Sequence, residues 1–378
     1  MTTTAQRIYL DNAATTPMDP EVVDAMIPMM REHFGNPSST HANGRKVKNV
    51  IEESRGKIAS LLKCAPGEIF FTSGGTEADN LALRGSVANL GIKTLITSPI
   101  EHHAVLHTAE DLHKNAGVNL ELVNILPNGH VDTAHLYDLV SKNPNSLVSL
   151  MHANNEIGNM LHIEEIGKNV HDAGALFHCD TVQTMGHYHF DLSQGYVDFL
   201  CGAGHKFNGP KGIGFLYMNK KNRVSPEITG GAQEREIRGG TENVYGIVGL
   251  AKALEISYRD LEKKKSHISM LKAEMIKALR ENIADIQFNG DPEGNSLYTV
   301  LSVSFPKSDA GNMLLFNLDI NGISASGGSA CSSGATAGSH VLNCICPGTE
   351  RTTVRFSFGK YNTLEDIQTT IEKLKTWY

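Results

Sequence analysis

The chain has 378 residues, 34 basic against 41 acidic, with a net charge of −7 spread along its length. No basic block or basic–aromatic interleaving marks a nucleic-acid surface, no run of about 18 apolar residues marks a membrane span, and the opening MTTTAQRIYLDNAATTP lacks the apolar stretch of a secretion signal. The expectation is a cytoplasmic protein without nucleic-acid or membrane partners, long enough for a large domain and a smaller companion.

Along the chain, FTSGGTEADNLALRG (71–85) reads as a tight glycine-rich turn feeding a helix. There Gly74, Gly75 and Thr76 offer amide hydrogens and a hydroxyl, the chemistry that binds phosphate at a helix N-terminus. The competing reading is an ordinary helix with Thr76 as its N-cap. The segment is not a GxxxxGK[ST] loop, so a nucleotide triphosphatase is not supported.

Strand-like runs then alternate with helix-like segments: TLITS (94–98), SLVSLMH (146–152), ALFHCD (175–180), DFLCGAG (198–204) and GIGFLYM (212–218). The alternation predicts an α/β layer on a mainly parallel sheet, with the site at the carboxyl ends of its strands. Two of those ends carry chemistry. Asp180 closes one run, with Gln183 three residues on, and an anion there suits the edge of a pyridinium ring. Lys206 follows another amid glycines, where burial favours the neutral amine that forms a Schiff base. Read singly, Asp180 is an ordinary cap or ion-pair partner and Lys206 a solvated surface charge.

From Val248 to Asn282 the spacing of Leu250, Leu254, Ile268, Leu271 and Met275 predicts one long helix bridging two domains. Beyond it LYTVLSVSF (297–305), MLLFNLDI (313–320) and TTVRFSFG (352–359) read as strands and a helix of a smaller α+β unit. Segment 324–339 holds only Ser, Ala, Gly and Thr apart from Cys331. Such composition buries too little apolar area to hold itself rigid, and a lone thiol at its centre favours a mobile catalytic loop over a linker.

The six cysteines (Cys64, Cys179, Cys201, Cys331, Cys344, Cys346) are too few and too unevenly spaced for a disulfide framework, in keeping with a reducing compartment. Cys344 and Cys346 near His340 raise a metal site. No CxxC pair occurs, however, and on an extended segment the two thiols point apart, so no metal is expected.

Ten strings, collinear from Leu10 to Lys360, resemble the cysteine desulfurase family: LDNAATTP (10–17), FGNPSSTH (34–41), TSGGTE (72–77), IEHHAV (100–105), MHANNEIG (151–158), HCDTVQT (178–184), GAGHKFNGPKGIG (202–214), RGGTEN (238–243), SGGSAC (326–331) and RFSFGK (355–360). The resemblance implies an aminotransferase-like fold: a large domain over residues 16–258 with a mainly parallel seven-stranded-type sheet, and a small domain made of 1–15 and 259–378. It implies pyridoxal phosphate as cofactor, L-cysteine as substrate, L-alanine as product, and Cys331 as the thiol that takes the sulfur as a persulfide. A homodimer and a sulfur-acceptor protein, such as an iron–sulfur scaffold, are the implied partners.

By the same resemblance Lys206 is the Schiff-base lysine, Asp180 contacts the pyridine nitrogen, and His102 stacks on the ring. Asn155 and Gln183 sit near the phenolic oxygen. The phosphate is held by Gly75, Thr76 and His205, and by Thr241 from the second subunit. Arg355 clamps the substrate carboxylate with Asn155 and Asn36 assisting, although on its strand it also reads as a structural ion pair. The histidines His178, His187 and His189 are expected to be structural. Two departures stand out. The family usually has serine where this chain has Ala203, and the chain stops at Tyr378 where many housekeeping members continue with a tail that docks the scaffold, which leaves the acceptor open. Two other readings compete: a lyase or transaminase on the same fold, including one preferring selenocysteine, and a sulfur-assembly partner that has lost catalysis.

Overall fold

The computed structural model describes residues 7–308, 311–327 and 338–378. Cys331, and the mobility expected of its segment, lie outside the described residues. The five apolar runs form five neighbouring strands of one seven-stranded sheet. In spatial order its members are Ile69–Thr72, Gly214–Met218, Phe199–Ala203, Leu176–Asp180, Leu147–Met151, Thr94–Thr97 and Asn119–Leu122. Gly214–Met218 runs antiparallel to both neighbours and every other pairing is parallel. The fold is the expected α/β arrangement. The outer strands Ile69–Thr72 and Asn119–Leu122 add to the five apolar runs. The second of these is a short edge strand with a half-exposed, polar pattern that carries little apolar signal.

Helices cover both faces, and four central strands are buried along their whole length or nearly so, which is why they read as continuous apolar runs. One apolar core joins the sheet to helices Ala42–Leu62 and Val244–Arg259 through Val47, Ile51, Leu250 and Leu254. A second core gathers Leu10, Ile268, Leu271, Met275, Val303 and Phe356. It lies on an antiparallel sheet of Gln287–Phe288, Val300–Phe305 and Thr352–Ser357, beside a parallel pair of Ile8–Tyr9 with Ile323–Ser324.

The expected long helix is two helices. Val244–Arg259 ends and Leu261–Asn282 begins at Asp260, whose ψ of 13° departs from the helix. The first helix buries its apolar face in one core and the second in the other, so a single straight rod could not satisfy both stripes. Asp260, a poor interior helix residue, is anchored at the break by Arg259 at 2.8 Å.

The N-terminal segment ties the second core to the carboxyl ends of the large sheet. Asp11 bridges to Ser357, and the amide of Ala13 donates to Ser357 Oγ at 2.8 Å. Thr16 then bonds through both its amide and its hydroxyl to the carbonyl of His205. The backbone of Ala13 and Ala14 is thereby laid across the strand ends.

Candidate active site

A cavity of about 230 Å³ opens where the strands Phe199–Ala203, Leu176–Asp180 and Leu147–Met151 end. Its floor begins at the glycine turn. Helix Gly75–Asn89 has Gly74 as its N-cap, with no side-chain cap bond. Thr76 lies inside the first turn, so the reading of Thr76 as an ordinary N-cap is replaced by an end whose first amides face the cavity without intrahelical partners. Gly75 is dictated by packing, since a Cβ there would come within 2.5 Å of Val182 Cγ2. Gly214 admits the turn from the other side, because its Cβ would meet the Gly74 backbone at 2.8 Å.

Opposite this end stands Asp180, buried to 6 % exposure at the last position of its strand. Its Oδ1 accepts from the amide of Val182 at 2.8 Å, which fixes the carboxylate's rotamer. Between the two, a 3₁₀ turn Gly204–Lys206 delivers Lys206 directly after the buried strand. Its Nζ donates to the carbonyls of Ala13 at 2.6 Å and Ala14 at 3.1 Å. The carbonyl of Ala13 also accepts from Gln183 Nε2 at 3.1 Å.

His102 caps helix His103–Ala116 by accepting from the amide of Ala104 on Nδ1, so in the neutral ring the hydrogen belongs on Nε2. Burial holds its pKa below the usual histidine value, partly opposed by the charge of Asp180 and reinforced by Lys206. Burial likewise brings His205 down to about 4, with Lys206 adding to the effect. Both rings are therefore neutral near pH 7. Arg355 reaches the cavity from the second core's strand at 2 % exposure. It donates from Nη1 to the carbonyl of Asn155 at 2.9 Å and from Nη2 to Asp11 Oδ1 at 3.0 Å, while its buried Nε has no partner. The ion-pair reading of Arg355 and its place at the cavity thus hold together.

The structure brings Gly75, Thr76, His102 and Asn155 around this one cavity, together with Asp180, Gln183, His205, Lys206 and Arg355. Two of the expected residues lie elsewhere in the same chain. Thr241 lines a separate hollow with Arg238 and Gly212. Asn36 is exposed, and its Oδ1 accepts from the amide of Ser38. Cys344 lies on helix His340–Ile345 and Cys346 caps it, both exposed, so the extended segment expected there is a short helix. Two residues of the candidate site, one beside the cavity and one lining it, were absent from the sequence reading. Asp11 orients Arg355, and Asp79, one turn into helix Gly75–Asn89, lines the cavity beside Asp180. The spacing Gly75 to Asp79 puts both on one helix face, the signal that was available.

The donor set fits pyridoxal phosphate. An open helix N-terminus would suit its phosphate, a buried carboxylate its ring nitrogen, a strand-end lysine its carbonyl, and a neutral histidine its ring face.

The family profile "Aminotransferase class-V" matches residues 8–370. The chain belongs to that family. Among curated relatives, the cysteine desulfurase IscS of Dictyoglomus turgidum (strain DSM 6724 / Z-1310) is 41 % identical over 374 residues, covering 98 % of this chain and 94 % of that protein. The cysteine desulfurase IscS of Methanosarcina thermophila is 41 % identical over 376 residues, covering 98 % and 92 %. Among solved structures, a NifS-like protein superposes with a TM-score of 0.90 at 36 % identity over 98 % of this chain and 99 % of its own. SspA in complex with cysteine superposes with a TM-score of 0.79 at 33 % identity over 94 % and 100 %.

Ala203 ends its strand at this cavity with 2 % exposure, and its Cβ lies 3.8 Å from the position a Gly75 Cβ would take. Ala203→Ser therefore places a hydroxyl at the open helix end. We expect cofactor to leave several-fold more slowly during dialysis, the effect of about 1 kcal/mol from one charge-assisted hydrogen bond. Unchanged or faster loss would show that this turn does not hold the phosphate.

Proposed function

We propose that the chain is a pyridoxal-phosphate-dependent cysteine desulfurase that moves the sulfur of L-cysteine onto Cys331 and releases L-alanine. The observation that carries this reading is the convergence of the open helix end at Gly75, Asp180, Lys206 and Arg355 on one cavity. Membership of the family and the similarity to curated cysteine desulfurases support it. Pyridoxal phosphate, when bound, supplies an electron sink for the substrate's α-carbon.

The residues divide the remaining work. Gly75, Thr76 and His205 would hold the phosphate, Asp180 the ring nitrogen, and Asn155 and Gln183 the phenolic oxygen, while His102 would cover the ring face. Arg355 binds the substrate carboxylate with its buried guanidinium, already oriented by Asp11 and the Asn155 carbonyl, with Asn155 assisting. Lys206 takes the α-proton on Nζ. The thiolate of Cys331 attacks the substrate sulfur, an S–S bond forms as the C–S bond breaks, the β-carbon takes up a proton with the electron pair of the broken bond, and Lys206 returns its proton to the α-carbon to give alanine. The resulting persulfide passes to an acceptor protein, for iron–sulfur assembly or another sulfur route.

Purified holoenzyme given L-cysteine and a reductant tests the reading. Equal release of alanine and sulfide is expected, and pyruvate or cysteine-derived keto acid instead would overturn it.

Arg355→Ala removes a charge-assisted carboxylate contact worth about 1.5–3 kcal/mol, so KM for cysteine should rise roughly 10- to 100-fold with cofactor content unchanged. Loss of cofactor in its place would make Arg355 structural, a partner for Asp11 alone.

A homodimer belongs to this proposal. Thr241 lies outside the cavity of its own chain, and Phe34, two residues from Asn36, is 82 % exposed, as Met30 is to 55 %. These are apolar surfaces suited to a partner subunit, which would receive Thr241 at its phosphate. Sedimentation is expected to show a dimer, and a fully active monomer would refute it. No helix among the described residues is long and apolar enough to cross a membrane, and a cytoplasmic setting completes the proposal.

A further inference from the structure

Behind Asp180 the sheet encloses a polar cluster that the reaction as described leaves without a task. Asp79 on helix Gly75–Asn89, His178 on the Asp180 strand and Cys201 on the next strand are each at or below 1 % exposure. The Cys201 thiol donates to Asp79 Oδ1 at 2.8 Å and lies 3.5 Å from Asp180 Oδ1. His178 Nδ1 bonds Ser149 Oγ at 2.8 Å, and its Nε2, buried without a hydrogen-bond partner, is aimed at Asp79 Oδ1 at 3.4 Å. With the Ser149 hydroxyl donating to Nδ1, the ring hydrogen sits on Nε2 and faces the carboxylate.

Three potential ligand atoms lie here within 4.8 Å of one another. A metal is nonetheless disfavoured, because burial and the two neighbouring carboxylates push the Cys201 thiol well above its usual pKa and so keep it a hydrogen-bond donor.

We infer that Asp79 is a second acid of the cofactor site, a positioning residue that acts through Asp180, with Cys201 and His178 holding it as an oriented carboxylate beneath the ring-nitrogen end. The inference rests on the reading of Asp180 as the pyridine-nitrogen partner. Its geometry is economical: one helix carries the phosphate-binding amides at Gly75 and, one turn later, the acid at Asp79. The helix therefore sets the span between the two ends of the bound group. Asp79 fills the space behind Asp180 with a charge that opposes release of a proton from the ring nitrogen.

Burial, followed by repulsion from Asp180, raises Asp79 to about 6, with His178 and Cys201 pulling the other way. Above that pH it is ionised. The titratable groups around it are Asp180, His178 and Cys179 on one strand, Cys201 on the next, and Glu101 beyond them, itself raised to about 8 chiefly by burial. Near neutral pH, Glu101 and both thiols are uncharged, which leaves Asp79 as a negative charge beside Asp180.

The test uses holoenzyme and two readouts besides activity: the cofactor's dissociation rate, and the pH midpoint of its visible absorption change. A negative charge favours the protonated form, so removing it lowers that midpoint. Asp79→Asn should lower it by about half a pH unit or more and speed cofactor loss several-fold. Cys201→Ser keeps a donor to Asp79 and should stay near wild type, while Cys201→Ala should shift both readouts in the direction of Asp79→Asn. Asp180→Asn is the control. If Asp180→Asn changes both readouts and folded Asp79→Asn changes neither, the inference is overturned while the reading of Asp180 stands. If Asp180→Asn changes neither, both fall together. Should Asp79→Asn not fold, Cys201→Ala decides, and wild-type values in that variant would overturn the inference.

Discussion

Lys206→Ala is expected to eliminate alanine and sulfide release and the visible absorbance of the lysine-bound cofactor. Among the described residues it is the lysine that lines the cavity. Two separate contributions vanish with it, covalent attachment and proton transfer at the α-carbon, and positioned proton transfer alone accounts for about 10²- to 10⁴-fold in rate. The folded chain should tolerate the change. Nζ is held by two backbone carbonyls, and leaving those unpaired costs about 1–3 kcal/mol each at most, partly offset by water entering the open cavity. Thermal unfolding of the apo form checks that point. Turnover in Lys206→Ala near the wild-type level would remove Lys206 from the mechanism.

Cys331→Ser is expected to separate substrate binding from sulfur transfer. L-cysteine should still change the cofactor spectrum, because the cavity residues that bind it are untouched. Sulfide and alanine release should fall by about 10²-fold or more, since a serine hydroxyl is a far weaker nucleophile toward sulfur than a thiolate. Sulfide release near wild type in the presence of reductant would show that Cys331 is not the acceptor. A variant that fails to respond spectroscopically to cysteine would place Cys331 in binding. The lyase and transaminase readings are judged by the same experiment, because neither needs a thiol at 331.

Much of the site was legible in the sequence because its residues sit at breaks in a simple pattern. The strand runs ending at Asp180 and Ala203 are buried on both faces and so appear as unbroken apolar text, and a polar residue immediately after such text falls at a carboxyl end. Gly75 and Gly214 were readable as glycines, while the reason for each lies in contacts with Val182 and Gly74. The long helix was misread because apolar periodicity continues across Asp260 although the burying surface changes from one core to the other.

The sequence by itself determined the α/β layer and five of its strands, and it singled out Lys206, Asp180 and the Gly75 turn, which the fold brings to one cavity. Local pattern and side-chain chemistry suffice for those. Only the tertiary structure decided that Asp11 orients Arg355 across 344 positions of sequence, that Cys201 donates to Asp79 across 122, and that His178 faces the same carboxylate. An acid one turn into a helix looks like any solvated charge until the sheet closes over it. Its partners come from other strands, and no periodicity along the chain records which strand will be its neighbour.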